Sequence, residues 1–123
     1  MTTVDHFIEF LRPQLGYEIY LGPWLTIDQE RIDRFATATG DPQWIHTDPQ
    51  RAANESPYGT TIAQGFLTLS LLPFLMEIFH PDYLQKVYPG MKMVVNYGLN
   101  KVRFPSPVVV GSRVVIVQPP RRL

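Results

Sequence analysis

The most continuously apolar part of the chain is Ile62-Ala63-Gln64-Gly65-Phe66-Leu67-Thr68-Leu69-Ser70-Leu71-Leu72, and no other stretch constrains the fold so tightly. A run this apolar is a helix that must be buried, and a buried helix needs other elements to wrap it. Gly65 opens it, and a few small polar groups punctuate it, so its start could face a ligand. Pro73 should kink the helix or mark a boundary. His80-Pro81 closes it. The wider stretch from Phe66 to Phe79 is interrupted by Thr68, Ser70, Pro73 and Glu77. It is too short to span a bilayer, which takes about 20 residues.

The rest of the chain supplies candidates for the wrapping. Val4, Phe7, Ile8 and Leu11 fall at helical spacing, a short amphipathic helix over residues 4–12 that Pro13 ends. Tyr17-Glu18-Ile19-Tyr20-Leu21 reads as a strand stopped by Gly22-Pro23. Thr26 with Gln29 three residues on forms a capping-box pattern, with Asp28 as the competing cap. The helix that follows places Ile32, Phe35 and Ala36 on one face, and Gly40 ends it. Asp48-Pro49 signals another helix start, because Asp48 can accept from free backbone donors while Pro49 has no N–H to leave unsatisfied. Asn54 to Thr61 is a loop leading to the apolar helix. From Met91 onward, Met91, Met93, Val95 and Tyr97 alternate with Lys92, Val94, Asn96 and Gly98, a strand pattern that Val102-Arg103-Phe104 continues or follows. A last run spans Val114 to Val117. That makes about three strands, with no internal repeat, and three short strands leave much of a buried helix in water.

Composition excludes several functions. A chain of 123 residues is one domain by length, and 45% hydrophobic with 18% charged residues is ordinary for a globular protein. With 11 basic and 11 acidic residues the formal net charge is zero, which gives no electrostatic case for nucleic acid or an anionic membrane surface. The absence of cysteine removes disulfides, thiolate nucleophiles and thiolate-held metal, and suits a cytoplasmic protein. His6, His46 and His80 lie far apart without a paired ligand spacing, so no metal site is expected. The N-terminus lacks the pattern of a signal peptide. Neither a GxGxxG nor a P-loop pattern occurs.

Ahead of the apolar helix lies Thr39-Gly40-Asp41-Pro42-Gln43-Trp44-Ile45-His46-Thr47-Asp48, in which Gly40, Pro42 and Pro49 prevent one regular helix. We read it as a shaped loop. These two segments, in this order, resemble the (R)-specific enoyl-CoA hydratases and MaoC-like dehydratases, in which a Gly-Asp-x-x-x-x-His loop precedes a long central helix beginning near Ala-His-Gly-Phe/Met. Here the matching residues are Gly40, Asp41 and His46, then Ala63, Gln64, Gly65 and Phe66, with Ser70 one helical turn further on. The likeness covers roughly residues 17–117. It departs from the family at Gln64, where many members have histidine. The resemblance implies an α+β hot-dog fold, an antiparallel sheet wrapped round a long central helix and paired into a homodimer. On that expectation residues 1–123 are a single hot-dog domain, short of its C-terminal strands because the chain is truncated, altered, or completed by another chain.

The resemblance also implies a hydro-lyase of fatty acid metabolism, adding water reversibly across the 2,3 double bond of an acyl thioester. Coenzyme A or acyl carrier protein belongs to the substrate, and no separate cofactor is implied. By residue type alone, Asp41 is a turn or cap aspartate and His46 a half-buried imidazole with a satisfied hydrogen bond. The family loop makes them the acid/base pair bracketing one water. Burial of Asp41 would favour its neutral form and a charged His46 nearby would favour the carboxylate, so the two would titrate as a unit. Gly65 could let the thioester approach backbone donors at the helix start, or simply allow tight packing. Ser70 matches the family's small hydroxyl that holds the reacting groups, and by chemistry alone could equally bond its own helix. Gln64 could donate to substrate or cap the turn, while Tyr58 and Phe66 could line an acyl tunnel or belong to the core. Lys101, Arg103 and Arg113 read as solvated charges on strands. The competing functions are a hot-dog thioesterase and a non-catalytic acyl-binding or interaction protein.

Overall fold

The computed structural model describes residues 9, 20–77, 80, 82, 85–86 and 89–118. In chain order the elements are β1 (Tyr20–Leu21), β2 (Leu25–Thr26), α1 (Gln29–Thr39), α2 (Trp44–Thr47), α3 (Pro49–Glu55), α4 (Gly65–Ser70), α5 (Leu72–Leu75), β3 (Arg113–Val114) and β4 (Val117–Gln118). Packing divides the chain into two units. One comprises Met1–Pro23, Pro73–Gly98 and Val115–Leu123, and the other Trp24–Leu72 and Leu99–Val114.

In the first unit β1 and β4 pair antiparallel, with Tyr20 opposite Gln118 and Leu21 opposite Val117. The Gly22 amide extends the ladder to the Ile116 carbonyl at 3.1 Å. Leu75 is buried there.

The second unit holds every candidate site residue. Its antiparallel β2–β3 pair sets Leu25 opposite Val114 and Thr26 opposite Arg113. The Ile27 amide continues it to Ser112 at 2.8 Å, and Gly111, at a positive φ of 84°, turns the chain so that its own amide reaches Ile27 at 2.7 Å. Residues just before this turn pair with the approach to α4: Ile62 bridges Val109, the Ala63 amide meets Val108 at 2.7 Å, and the Val110 amide meets Thr61 at 3.0 Å. Residues 108–114 thus bind both the entry to α1 and the entry to α4. The buried apolar residues of this unit are Ile27, Ile32, Ala36, Ala52, Ala63, Leu67 and Leu71. Ile32 and Ala36, four apart on α1, are the core face that the sequence predicts.

Cap chemistry fixes the helix ends. Asp28, not Thr26, caps α1, its carboxylate accepting from the Arg31 amide at 2.9 Å. Thr26 is already committed to β2, and so the capping-box reading fails. Gly40 ends α1 in the left-handed region, and its amide returns to Ala36. Asp48 caps α3 through the Arg51 amide at 3.0 Å, with Pro49 in the first turn, as the sequence predicts.

The segment expected as loop from Gly40 to Asp48 contains a turn of helix, α2, bracketed by Pro42 and Pro49. Within the apolar stretch the helix is interrupted at Leu71, because Pro73 has no N–H for the Leu69 carbonyl. The single strand expected over Val114 to Val117 is two: β3 ends at Val114 and β4 begins at Val117, each with a different partner. Met91 to Phe104, expected to carry a strand, forms no ladder among the described residues and is exposed throughout. The expected helix over 4–12, Glu9 apart, and the first three residues of the Tyr17–Leu21 strand lie outside the described residues.

Candidate functional site

α2 carries His46 into a buried position, where 7% of it remains exposed. The imidazole Nδ1 lies 2.7 Å from the carbonyl oxygen of Ile62. A carbonyl only accepts, so Nδ1 bears the proton and donates. In the neutral ring Nε2 then holds the free lone pair, which suits it to exchange a proton with water. The Ile62 amide in turn donates to the Ile45 carbonyl at 3.0 Å, pinning the same strand segment to the residue beside His46. Arg51 lies over the Trp44 ring, 4.3 Å from its centroid, and pairs with Glu55 at 2.8 Å. The stacking of Arg51 on Trp44 ties α3 to α2.

Asp41 follows the left-handed Gly40, and its amide is anchored on Ala36 at 3.1 Å. Its side chain is exposed. The burial that would favour a neutral Asp41 carboxyl is not met in this chain. No hydrogen bond joins Asp41 and His46 among the described residues.

Two shallow depressions flank α1. One, of about 470 Å3, is lined by Asp33, Ala36, Thr37, Gly40, Pro42 and Thr47. The other lies along Gln29, Glu30, Asp33, Arg34, Thr37 and Ala38. Neither includes Asp41, His46 or Gly65, although the first reaches the residues on both sides of Asp41.

At the start of α4, Gln64 is 4% exposed, with Nε2 donating to the Ile32 carbonyl at 3.2 Å and Oε1 buried without a partner among the described residues. Gly65 is packed tightly: a Cβ there would stand 2.9 Å from the Phe104 ring. The amides of Gly65 and Phe66 have no acceptor among the described residues. The packing expectation for Gly65 is met by the Phe104 ring, beside a helix start that carries these two N–H groups. Phe66, 68% exposed, meets Phe104 edge to face, with ring centroids 6.1 Å apart. Tyr58 is also exposed, so neither aromatic belongs to the core of this chain. The Ser70 hydroxyl donates to the Phe66 carbonyl at 2.6 Å, the local alternative, which leaves its oxygen lone pairs available as acceptors. Among the described residues no three His, Cys, Asp or Glu side chains gather closely enough to hold a metal ion. No helix among them is long and apolar enough to cross a membrane.

Two residues that sequence reasoning passed over, Gln29 and Thr61, stand beside His46. Gln29 Nε2 donates to the His46 carbonyl at 2.7 Å, and Thr61, fully buried, donates its hydroxyl to Gln29 Oε1 at 2.6 Å. In the sequence Gln29 has a sufficient local role as capping-box partner of Thr26. Its true partners lie 17 and 32 residues away, and no spacing rule marks them.

Comparison with known proteins places the chain in a family. The model of the MaoC like domain matches residues 12–118. The chain is 58% identical over 99 residues to the 3-hydroxyacyl-thioester dehydratase Z of Mycobacterium tuberculosis, an overlap covering 80% of this chain and 61% of that protein. It is 50% identical over 101 residues to nodulation protein N of Rhizobium leguminosarum bv. viciae, covering 82% of this chain and 60% of that protein. The chain thus spans about three-fifths of the length of these curated relatives. A solved structure described as the monoamine oxidase regulatory protein from Archaeoglobus fulgius superposes with a TM-score of 0.63 at 30% identity, covering 83% of this chain and 63% of that one.

Proposed function

Because this chain belongs to the MaoC-like dehydratase family and has its hot-dog fold, we propose that it carries the acid/base site of an (R)-specific enoyl thioester hydratase. Water would add reversibly to a 2-enoyl group on coenzyme A or an acyl carrier protein. The relative named a 3-hydroxyacyl-thioester dehydratase supports the reaction class. The observation that carries the reading is His46, held by Ile62 with Nδ1 protonated and Nε2 free, five residues after Asp41 and beside the segment that opens α4.

The reaction needs one proton acceptor and one proton donor around a single water. As an O–H bond of water breaks, its proton passes to the Asp41/His46 pair, and the oxygen bonds to C3 of the enoyl group. The C2–C3 π electrons move towards the carbonyl, placing negative charge on the thioester oxygen. The pair then delivers a proton to C2, and the net change is addition of water. The amides of Gly65 and Phe66 are the donors we assign to the thioester oxygen, since a developing oxyanion is stabilised by preorganised N–H groups. Ser70 we assign to holding the reacting groups through its free lone pairs. Gln64 we place among the substrate-binding residues, its Oε1 having no partner among the described residues. Phe66 and Tyr58, exposed here, are the surfaces we assign to the acyl chain. No separate cofactor enters. A homodimer and a cytoplasmic setting are part of the same proposal.

The test is the loss of the conjugated enoyl absorbance of crotonyl-CoA when the folded chain is added, beside Asp41→Asn and His46→Gln. We expect hydration by the parent that falls by about 100-fold or more in each variant, the scale of a positioned acid/base group. Release of free thiol instead would identify a thioesterase. A folded parent without turnover would identify an acyl-binding protein, and turnover indifferent to both substitutions would remove the pair from the site.

A further inference from the structure

We propose that Gln29 and Thr61 are positioning residues that set the His46 imidazole by clamping the backbone on both sides of its hydrogen bond. The inference rests on the hydratase reading for its kinetic consequence, but its structural content does not.

The carboxamide of Gln29 is used on three sides. Nε2 donates to the His46 carbonyl at 2.7 Å and to the Asp33 carboxylate at 2.9 Å, and Oε1 accepts from Thr61 at 2.6 Å. Its orientation follows from chemistry. A reversed amide would aim Oε1 at a carbonyl and a carboxylate, neither of which can donate. Thr61 is fully buried, and its own carbonyl is held by the Val110 amide at 3.0 Å. It immediately precedes Ile62, whose carbonyl accepts from His46 Nδ1 at 2.7 Å. Gln29 therefore links the residue bearing the ring to the neighbour of the residue that accepts from it. The clamp closes a loop of bonds running from His46 to Gln29, to Thr61, to Ile62 and back to the ring.

Fixing the two ends fixes the separation and angle of the Nδ1–H bond, and with them the tautomer and the direction of Nε2. None of these groups needs to touch substrate. α1 is long and capped by Asp28, so Gln29 in its first turn has a rigid base. The same loop explains why a neutral glutamine serves where a glutamate of equal length would not. A carboxylate here would face Asp33 and a carbonyl oxygen with no proton to offer either.

The test uses the full chain labelled with 15N. Gln29→Met keeps the bulk and removes all three bonds, Gln29→Glu keeps the shape and reverses the donor, and Thr61→Val removes the hydroxyl that Thr61→Ser retains. The ring nitrogens of His46 are followed by NMR, with kcat and KM for crotonyl-CoA and the thermal midpoint measured on the same samples. In the parent we expect a single tautomer protonated at Nδ1. In Gln29→Met, Gln29→Glu and Thr61→Val we expect ring shifts moving towards tautomer averaging, and kcat lower by about tenfold or more with KM nearly unchanged, as misplacement of a catalytic group produces. Thr61→Ser should restore both readouts. Folded Gln29→Met and Thr61→Val with unmoved ring signals and parental kcat, only less stable to heat, would reduce the clamp to a structural contact and overturn the proposal. So would Thr61→Ser as impaired as Thr61→Val. A parent without turnover whose His46 signals still shift in the variants would sink the hydratase reading and support the clamp.

Discussion

A methyl group added at Gly65 would stand 2.9 to 3.0 Å from three atoms of the Phe104 ring, closer than carbon atoms pack. The backbone itself does not object, since Gly65 begins a helix rather than adopting a positive φ. The cost is steric alone, and Phe104 is half exposed and free to swing away. We expect Gly65→Ala to destabilise by about 1 kcal/mol, the low end for overpacking. Phe104→Ala should remove most of that penalty in a double-mutant cycle of chemical denaturation; strictly additive effects would mean that the two residues do not meet. Activity should stay depressed in the double variant, because the methyl still crowds the amide edge that we assign to the thioester. At this scale the sequence singled out Gly65 and left its two roles open. Phe104, 39 residues further on, settles one of them.

Between residues and fold stand the caps, where an aspartate and a glycine can be told apart. Asp48 accepts from the Arg51 amide and is exposed, which gives it a structural role. Asp48→Ala should lower stability by about 1 kcal/mol, the usual worth of an N-cap, while kcat for the enoyl thioester stays within about twofold. A collapse of kcat with the fold intact would move Asp48 into the site. Gly40 differs from Asp48: its φ of 72° is the left-handed region, and nothing lies within 4 Å of a Cβ placed there. Gly40→Ala therefore has a purely conformational cost of about 1–2 kcal/mol. It should also lower kcat, since Gly40 sets the turn that presents Asp41. Thermal midpoints beside kcat would show it, and loss of stability without loss of rate would separate the turn from the chemistry. The capping signals at Asp48-Pro49 and Gly40 were legible because a cap is a local event, decided by three or four adjacent residues. The choice of Asp28 over Thr26 was not, since it depends on Thr26 pairing with Arg113, far along the chain.

For the molecule as a whole the feature with most consequence is the exposed run after Met91. Met93, Val95 and Tyr97 in the first unit, and Leu99, Val102 and Phe104 in the second, are exposed side chains of a kind usually buried or covered by a partner. Their backbone forms no ladder among the described residues, leaving strand-forming sequence with unpaired edges. The expected outcome for the purified chain is binding of a hydrophobic dye such as ANS, together with sedimentation above the monomer mass. Val95→Lys should weaken both, because a charge on an exposed strand opposes edge-to-edge association. A monomer that binds no dye would show that this surface needs no cover.

Sequence alone determined the family, the caps at Gly40 and Asp48, and the α1 face of Ile32 and Ala36. Each of these is carried by neighbouring residues or by one helical period, and so can be read along the chain. Only the tertiary structure decided that Nδ1 of His46 meets Ile62, that Gln29 and Thr61 close a loop of bonds behind it, and that Val114 and Val117 belong to different ladders. The physical reason is the same in every case. Hydrogen bonds and strand pairs between distant segments depend on which backbones are brought side by side, and that is a property of the folded chain rather than of any window in its sequence.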